Sequence, residues 1–90
     1  MSGAEDPRIR QLREQISDND RAIVEAINAR LKLVAQLKRY KESRGIEFVD
    51  PDREASLVAS RARENRGPLS EEGLRSFYAE LLALTKREVS

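Results

Sequence analysis

The sequence has no cysteine and no histidine, and it lacks a glycine-rich loop of the kind that binds phosphate. Without cysteine there are no disulfides and no thiol chemistry, and without histidine there is no imidazole for acid–base catalysis. The usual zinc sites draw on these same two residue types. We therefore expect neither a metal site nor a redox-active thiol.

Long apolar runs and an excess of one charge are also absent. No apolar segment is long enough to span a membrane, and the polar stretch 2–10 lacks the apolar core of a secretory signal. The 17 basic and 16 acidic residues leave a formal net charge of +1, whereas dedicated nucleic-acid-binding domains are usually strongly basic. The sequence therefore predicts a cytoplasmic protein that binds neither membranes nor nucleic acids.

What the sequence contains is a helix-forming composition. Of its 90 residues 37% are charged and only 4% are aromatic, which is typical of a small helical domain with a modest core. No strand pattern and no internal repeat occurs. We expect a single all-α domain over residues 1–90, with a disordered tail at residues 1–7.

The first half of the chain predicts one long helix. No glycine or proline occurs from Arg8 to Arg44, and Gly45 is typical of a helix end. A continuous helix of this length would measure about 55 Å. A compact domain of this size has a diameter of only about 30 Å. Because its apolar stripe would extend beyond the domain, we expect two copies to pack these helices together as a homodimer.

Two shorter helices are predicted after the long one. Asp50 followed by Pro51 is typical of a helix start, and this second helix runs to about Asn65. A glycine–proline break at 67–68 precedes Ser70, which is a suitable N-cap for a third helix.

Two basic residues fall on the apolar stripe of the first predicted helix. The stripe runs through Ile27, Val34 and Leu37, and helical spacing puts Arg30 and Lys41 on the same face, about 16 Å apart. A buried cation is costly unless an anion meets it. Internal salt bridges, or side chains that reach solvent past the core edge, would each satisfy one such residue. Two on one face favour a cavity that binds an anion.

Further polar residues interrupt or flank the apolar faces of the three helices. They are Arg13, Asp50, Arg53, Glu54, Thr85 and Glu88. Each has a local explanation, such as capping, ion pairing or a hydrogen bond back to its own helix. Together with the two stripe cations they would suit a small polycarboxylate that carries a hydroxyl group, because arginine binds carboxylates in a bidentate manner and lysine acts as a point charge.

The same residues restrict the chemistry. They include no nucleophile–base pair and no metal-ligand group. An enzyme built from them must hold its substrate in a reactive conformation and stabilise charge as it develops.

Several short motifs follow one another in a characteristic order. They are Leu12–Ser17, Asp20, Arg30, Lys41 and the run Val49–Glu54. In order and spacing, over about residues 8–89, they resemble the all-helical bacterial class of chorismate mutases. The resemblance implies an intertwined homodimer with two identical active sites. It also implies rearrangement of chorismate to prephenate, with no covalent intermediate and no cofactor.

The resemblance further implies roles for the basic residues of the first helix. Arg30, together with Arg13 of the partner subunit, would bind the two carboxylates of the substrate. Lys41 would donate to the ether oxygen, where negative charge grows as the C–O bond breaks.

Residues of the second and third helices would complete that site. Glu54 and the backbone at Asp50 would hold the ring hydroxyl, with Arg53 as their support. Thr85 would occupy a position at which the family often has a serine that contacts a carboxylate.

One position departs from the family pattern. The second donor to the ether oxygen, usually glutamine, lies four residues after the serine or threonine, and that position here is Val89. Its neighbour Glu88 is the plausible substitute, although a carboxyl group donates only when it is protonated. The resemblance therefore implies that either Glu88 or Val89 occupies this place, with a lower intrinsic activity.

Two other functions fit the same architecture. An isochorismate pyruvate-lyase has a similar helical fold and anion site, although the complete run 50–54 and the long first helix favour the mutase. A non-catalytic helical dimer, acting as a docking or regulatory module, would instead pair the stripe cations internally. Docking on another shikimate-pathway enzyme is compatible with each of these functions.

Overall fold

The computed structural model describes residues 6–90, which form three α-helices: α1 (Pro7–Ser43), α2 (Pro51–Glu64) and α3 (Glu71–Val89). No strand occurs within this part of the chain. The predicted all-α fold, with one long and two shorter helices, is confirmed. Among the described residues, no helix combines the length and the apolar character that crossing a membrane requires.

The start of α1 lies earlier than the sequence analysis assumed. The Asp6 carboxylate accepts hydrogen bonds from the backbone N–H of Arg8 at 2.8 Å and of Ile9 at 3.3 Å, and Pro7 is the first helical residue. This Asp–Pro pair starts a helix for the same reason as the later one, because aspartate caps and proline suits the first turn. The expected tail therefore loses its last two residues, and residues 1–5 lie outside the described part of the chain.

Gly45 ends α1 as predicted. It has φ +68°, which favours glycine, and two backbone bonds close the turn around it. Ile46 N–H donates to the Lys41 carbonyl at 2.9 Å, and Gly45 N–H donates to the Glu42 carbonyl at 3.2 Å. These two bonds form a Schellman motif, which satisfies carbonyls that the helix itself leaves without partners.

The caps of α2 and α3 are those that the sequence predicted. The Asp50 side chain accepts a hydrogen bond from the backbone N–H of Arg53 at 3.1 Å. The Ser70 hydroxyl accepts one from the backbone N–H of Gly73 at 3.0 Å. Asn65 is the C-cap of α2.

The chain divides into two compact units. The first extends to Lys32 and the second comprises Leu33–Ser90, so α1 contributes to both. In the second unit α2 packs against α3, and the buried side chains are Leu74, Leu81 and Thr85. This small core lies on one face of α3.

The first unit, taken by itself, has an exposed apolar stripe. Apart from Asp6, its described residues belong to α1, and Leu12, Ile16 and Ile23 are 40%, 60% and 52% exposed. They continue, in steps of four and seven residues, the apolar stripe that the periodicity predicts at Ile27, Val34 and Leu37. Burying them would require a further surface, because large apolar side chains at helical spacing favour association.

Candidate active site

Lys41 lies in the last turn of α1, beside the loop that follows it. Its ammonium donates a hydrogen bond to the Phe48 carbonyl at 3.3 Å, and the side chain is half-buried. The Schellman turn at Gly45 brings this loop back towards the helix end. An ammonium has three N–H groups, so one bond to a carbonyl leaves capacity for a second acceptor.

Lys38, one turn before Lys41, contacts two other segments of the second unit. Its ammonium donates to the Val89 carbonyl at 3.0 Å and lies 5.5 Å from the centroid of the Phe48 ring. The Val89 carbonyl lies at the C-terminal end of α3, where backbone acceptors lack helical partners and positive charge is favourable. Lys38 therefore joins the end of α1 to the end of α3.

Glu54 lies in the first turn of α2 and forms an ion pair with α3. The Lys86 ammonium is 2.9 Å from Oε1 and 3.3 Å from Oε2 of this carboxylate. Glu54 is half-buried, on the face that also carries Leu57 and Val58. The last turns of α3 thus contact α2 through Lys86 and α1 through Val89.

Thr85 is the most buried polar residue described, at 5% exposure. Its hydroxyl donates to the Leu81 carbonyl at 2.7 Å, one turn earlier on α3. This bond is the back-bonding that the sequence offered as a structural explanation for Thr85.

The remaining candidates of the second unit differ in exposure. Asp50 and Arg53 are exposed at the start of α2, where Asp50 acts as the N-cap. Glu88 is exposed and Val89 is half-buried. The Glu88 side chain is therefore open to solvent, whereas Val89 lies in the turn of α3 whose carbonyl accepts the hydrogen bond from Lys38.

Arg13 and Arg30 belong to the first unit, on α1. Arg13 is exposed and Arg30 is half-buried. The partial burial of Arg30 accords with its predicted position on the apolar stripe, because the stem of a long side chain can cover apolar surface.

Sequence reasoning missed two residues, Lys38 and Lys86. Lys38 lies three residues before Lys41, and Lys86 directly follows Thr85, so both adjoin candidates that were identified. Their partners, however, lie 51 and 32 residues away along the chain. No spacing rule within one helix identifies such pairs, since they depend on how the helices pack.

In the second unit, therefore, ammonium groups, a carboxylate and a buried hydroxyl lie near the meeting ends of the helices. This set of groups can bind an anionic, hydroxylated molecule and can donate a hydrogen bond to an oxygen that gains negative charge.

Comparison with known proteins assigns the chain to a family. Residues 12–89 match the family model described as chorismate mutase type II. The chain belongs to the chorismate mutase type II family, which confirms the resemblance found in its motifs.

Solved structures and a curated relative agree with this assignment. Two structures of chorismate mutase from Thermus thermophilus, forms I and II, are 29% identical to the chain with TM-scores of 0.85 and 0.86. Form I is matched over 87% of this chain and 98% of its own, and form II over 89% and 91%. The T-protein of Enterobacter agglomerans is 42% identical over 53 residues, which make up 59% of this chain. The matched part spans 14% of the length of that T-protein.

Proposed function

We propose that this chain is a chorismate mutase, an isomerase that converts chorismate to prephenate in aromatic amino acid biosynthesis. The match of residues 12–89 to the chorismate mutase type II family carries the proposal. The likeness to the Thermus enzymes over nearly their whole length supports it. The cations and the carboxylate on the three helices suit a dicarboxylate that bears a hydroxyl group.

The proposed reaction requires little covalent chemistry from the protein. In this intramolecular rearrangement a C–C bond forms as the C–O ether bond breaks, and negative charge grows on the ether oxygen. The protein accelerates such a step by holding the substrate in the reactive conformation and by donating hydrogen bonds to that oxygen. No cofactor enters the proposed mechanism.

Lys41 is the proposed donor to the ether oxygen. Its half-buried ammonium and its bond to the Phe48 carbonyl support the role, because they hold the group near the end of α1. Arg30 and Arg13 of the partner subunit would bind the two carboxylates, since guanidinium groups match carboxylate geometry.

Glu54 would accept a hydrogen bond from the ring hydroxyl, aided by the backbone at Asp50. Arg53 would support this end of the substrate, and Thr85 would contact a carboxylate. Two features support these roles. Glu54 forms an ion pair with Lys86 of α3, and Thr85 is buried.

For the second contact at the ether oxygen we propose Val89 rather than Glu88. The exposure of Glu88 and the partial burial of Val89 support this choice. An apolar side chain offers no hydrogen bond, so Lys41 would supply the stabilisation of the ether oxygen without a second side-chain donor. The proposed enzyme is correspondingly slower than one that carries an amide at this position.

The proposal includes a cytoplasmic homodimer with two shared sites. The exposed apolar stripe of α1 supports the dimer, because a second copy would cover it. Docking on another shikimate-pathway enzyme stays a prediction.

The experiment that tests the function is an absorbance assay of chorismate loss with the purified protein alone. We expect prephenate to form without release of pyruvate. Pyruvate released from isochorismate would instead indicate the lyase. The absence of turnover, together with no calorimetric binding of prephenate or of a bicyclic transition-state analogue, would indicate a non-catalytic docking module.

A further inference from the structure

The ion pair between Lys86 and Glu54 differs in kind from three others in the described part of the chain. Those three are Arg21–Asp18, Arg61–Glu64 and Arg75–Glu71, each within one helix and three or four residues apart. Lys86 and Glu54 lie 32 residues apart, on α3 and α2. Their contact therefore fixes a side chain relative to another helix.

The geometry of the contact involves both oxygens of the carboxylate. The Lys86 ammonium lies 2.9 Å from Oε1 and 3.3 Å from Oε2 of Glu54. A glutamate side chain on a helix surface can adopt several staggered rotamers when nothing restrains it, and each places the carboxylate at a different position. The Lys86 ammonium attracts both oxygens towards α3, which limits the positions that the Glu54 side chain can adopt.

The surroundings make this restraint effective. The Glu54 side chain is 28% exposed and that of Lys86 is 42% exposed, and Lys86 directly follows the buried Thr85. A partly buried pair is screened less by solvent and salt than a fully exposed one. The packing of Thr85 also limits where the Lys86 backbone can move.

Lys86 leaves Glu54 able to accept a further hydrogen bond. An ionised carboxylate has about four lone-pair sites, two on each oxygen, and one ammonium occupies at most one on each. We propose that Lys86 is a positioning residue, which holds the Glu54 carboxylate where it can accept a hydrogen bond from the ring hydroxyl of the substrate. This inference rests on the proposed function, in which Glu54 binds that hydroxyl.

The test is a double-mutant cycle on the full-length enzyme. Lys86→Met keeps the aliphatic stem and removes the ammonium, and we expect it to lower kcat/KM for chorismate by about fivefold, mainly through KM, because it loosens a binding group. In the Glu54→Gln background the same substitution should have little further effect, since Lys86 acts through the carboxylate. Lys86→Arg should restore most of the activity, because a guanidinium can also contact both oxygens.

Arg87→Met provides a matched control. Arg87 is the next residue of α3 and is exposed, so this change also removes one cation from the same turn. We expect its kcat/KM to equal that of the wild type. Circular dichroism checks that each variant is folded, and if Lys86→Met does not fold, Lys86→Gln takes its place in the cycle.

The outcomes separate this inference from the proposed function. If the wild type converts chorismate and Lys86→Met is equally active, the positioning role is wrong and the function stands. The same holds if Lys86→Met lowers kcat/KM by the same factor with and without the Glu54 carboxylate. If the loss disappears in the Glu54→Gln background and arginine restores activity, the positioning role is supported. If the wild type does not consume chorismate, the proposed function is wrong and the inference falls with it.

Discussion

Lys38 donates a hydrogen bond to the backbone carbonyl of Val89, 3.0 Å away at the C-terminal end of α3. The same ammonium lies 5.5 Å from the Phe48 ring centroid, so one side chain joins α1, the loop after it and α3. A cation at a helix C-terminus satisfies a carbonyl and interacts favourably with the helix dipole. Lys38 therefore stabilises the turn that carries Val89, although it is itself no candidate for substrate contact.

Lys38→Met should lower the free energy of unfolding by about 1 kcal/mol, because it removes a charge-assisted bond to a helix terminus. Urea unfolding at a fixed protein concentration measures this difference. The control is Lys32→Met, which removes an exposed lysine from the same helix and should change stability little. Equal losses in the two variants would show that the contact with Val89 contributes nothing to stability.

Lys41 and Arg30 should affect catalysis in different ways. Lys41→Ala should mainly lower kcat, by about two to three orders of magnitude, because its ammonium is proposed to meet charge that develops only in the transition state. Arg30→Ala should weaken substrate binding and turnover together, because a carboxylate is present in both states. Steady-state kinetics with chorismate measure both parameters.

Circular dichroism provides the control for these two variants. Each should keep its helical signal. Loss of helical structure in either variant, together with identification of an internal carboxylate partner, would show that the residue has a structural role instead.

Local signals in the sequence were sufficient for the helix ends. Asp50 and Ser70 cap because a side-chain oxygen reaches a backbone N–H three residues on, and Gly45 ends α1 because it accommodates φ +68°. The same reasoning applied to Asp6 would have placed the start of α1, whereas the sequence analysis assigned this residue to a tail.

The contacts between helices could not be read in this way. The Glu54–Lys86 pair and the Lys38–Val89 bond depend on tertiary packing, and lysines are too common on helices for one to be singled out. The sequence also does not indicate which of the adjacent residues Glu88 and Val89 is exposed. Only the structure distinguishes the exposed Glu88 from the half-buried Val89.

Val89→Gln should raise kcat, because it places an amide donor where the family usually has one. We expect an increase of about tenfold, which is below the effect of removing one such donor in other enzymes. Glu88→Gln should leave the kinetics unchanged at neutral pH, since that side chain is exposed. If Glu88→Gln raises the rate and Val89→Gln does not, Glu88 rather than Val89 occupies the second position at the ether oxygen.

The exposed stripe of α1 predicts an obligate homodimer, and the proposed role of Arg13 allows a specific test of it. If Arg13 acts on the site of the other subunit, a heterodimer of an Arg13→Ala chain with a Lys41→Ala chain has one site with neither change and one site with both. Random reassortment makes half of the dimers heterodimers, so about a quarter of all sites should recover activity. Each variant alone should remain nearly inactive.

Co-expression with two different affinity tags isolates the heterodimer, whose kcat per dimer should approach half that of the wild type. If Arg13 acted within its own chain, every site of the mixture would carry one change and no activity would return. A stable folded monomer at micromolar concentration in sedimentation equilibrium would contradict the dimer itself, since folding is then independent of a second copy.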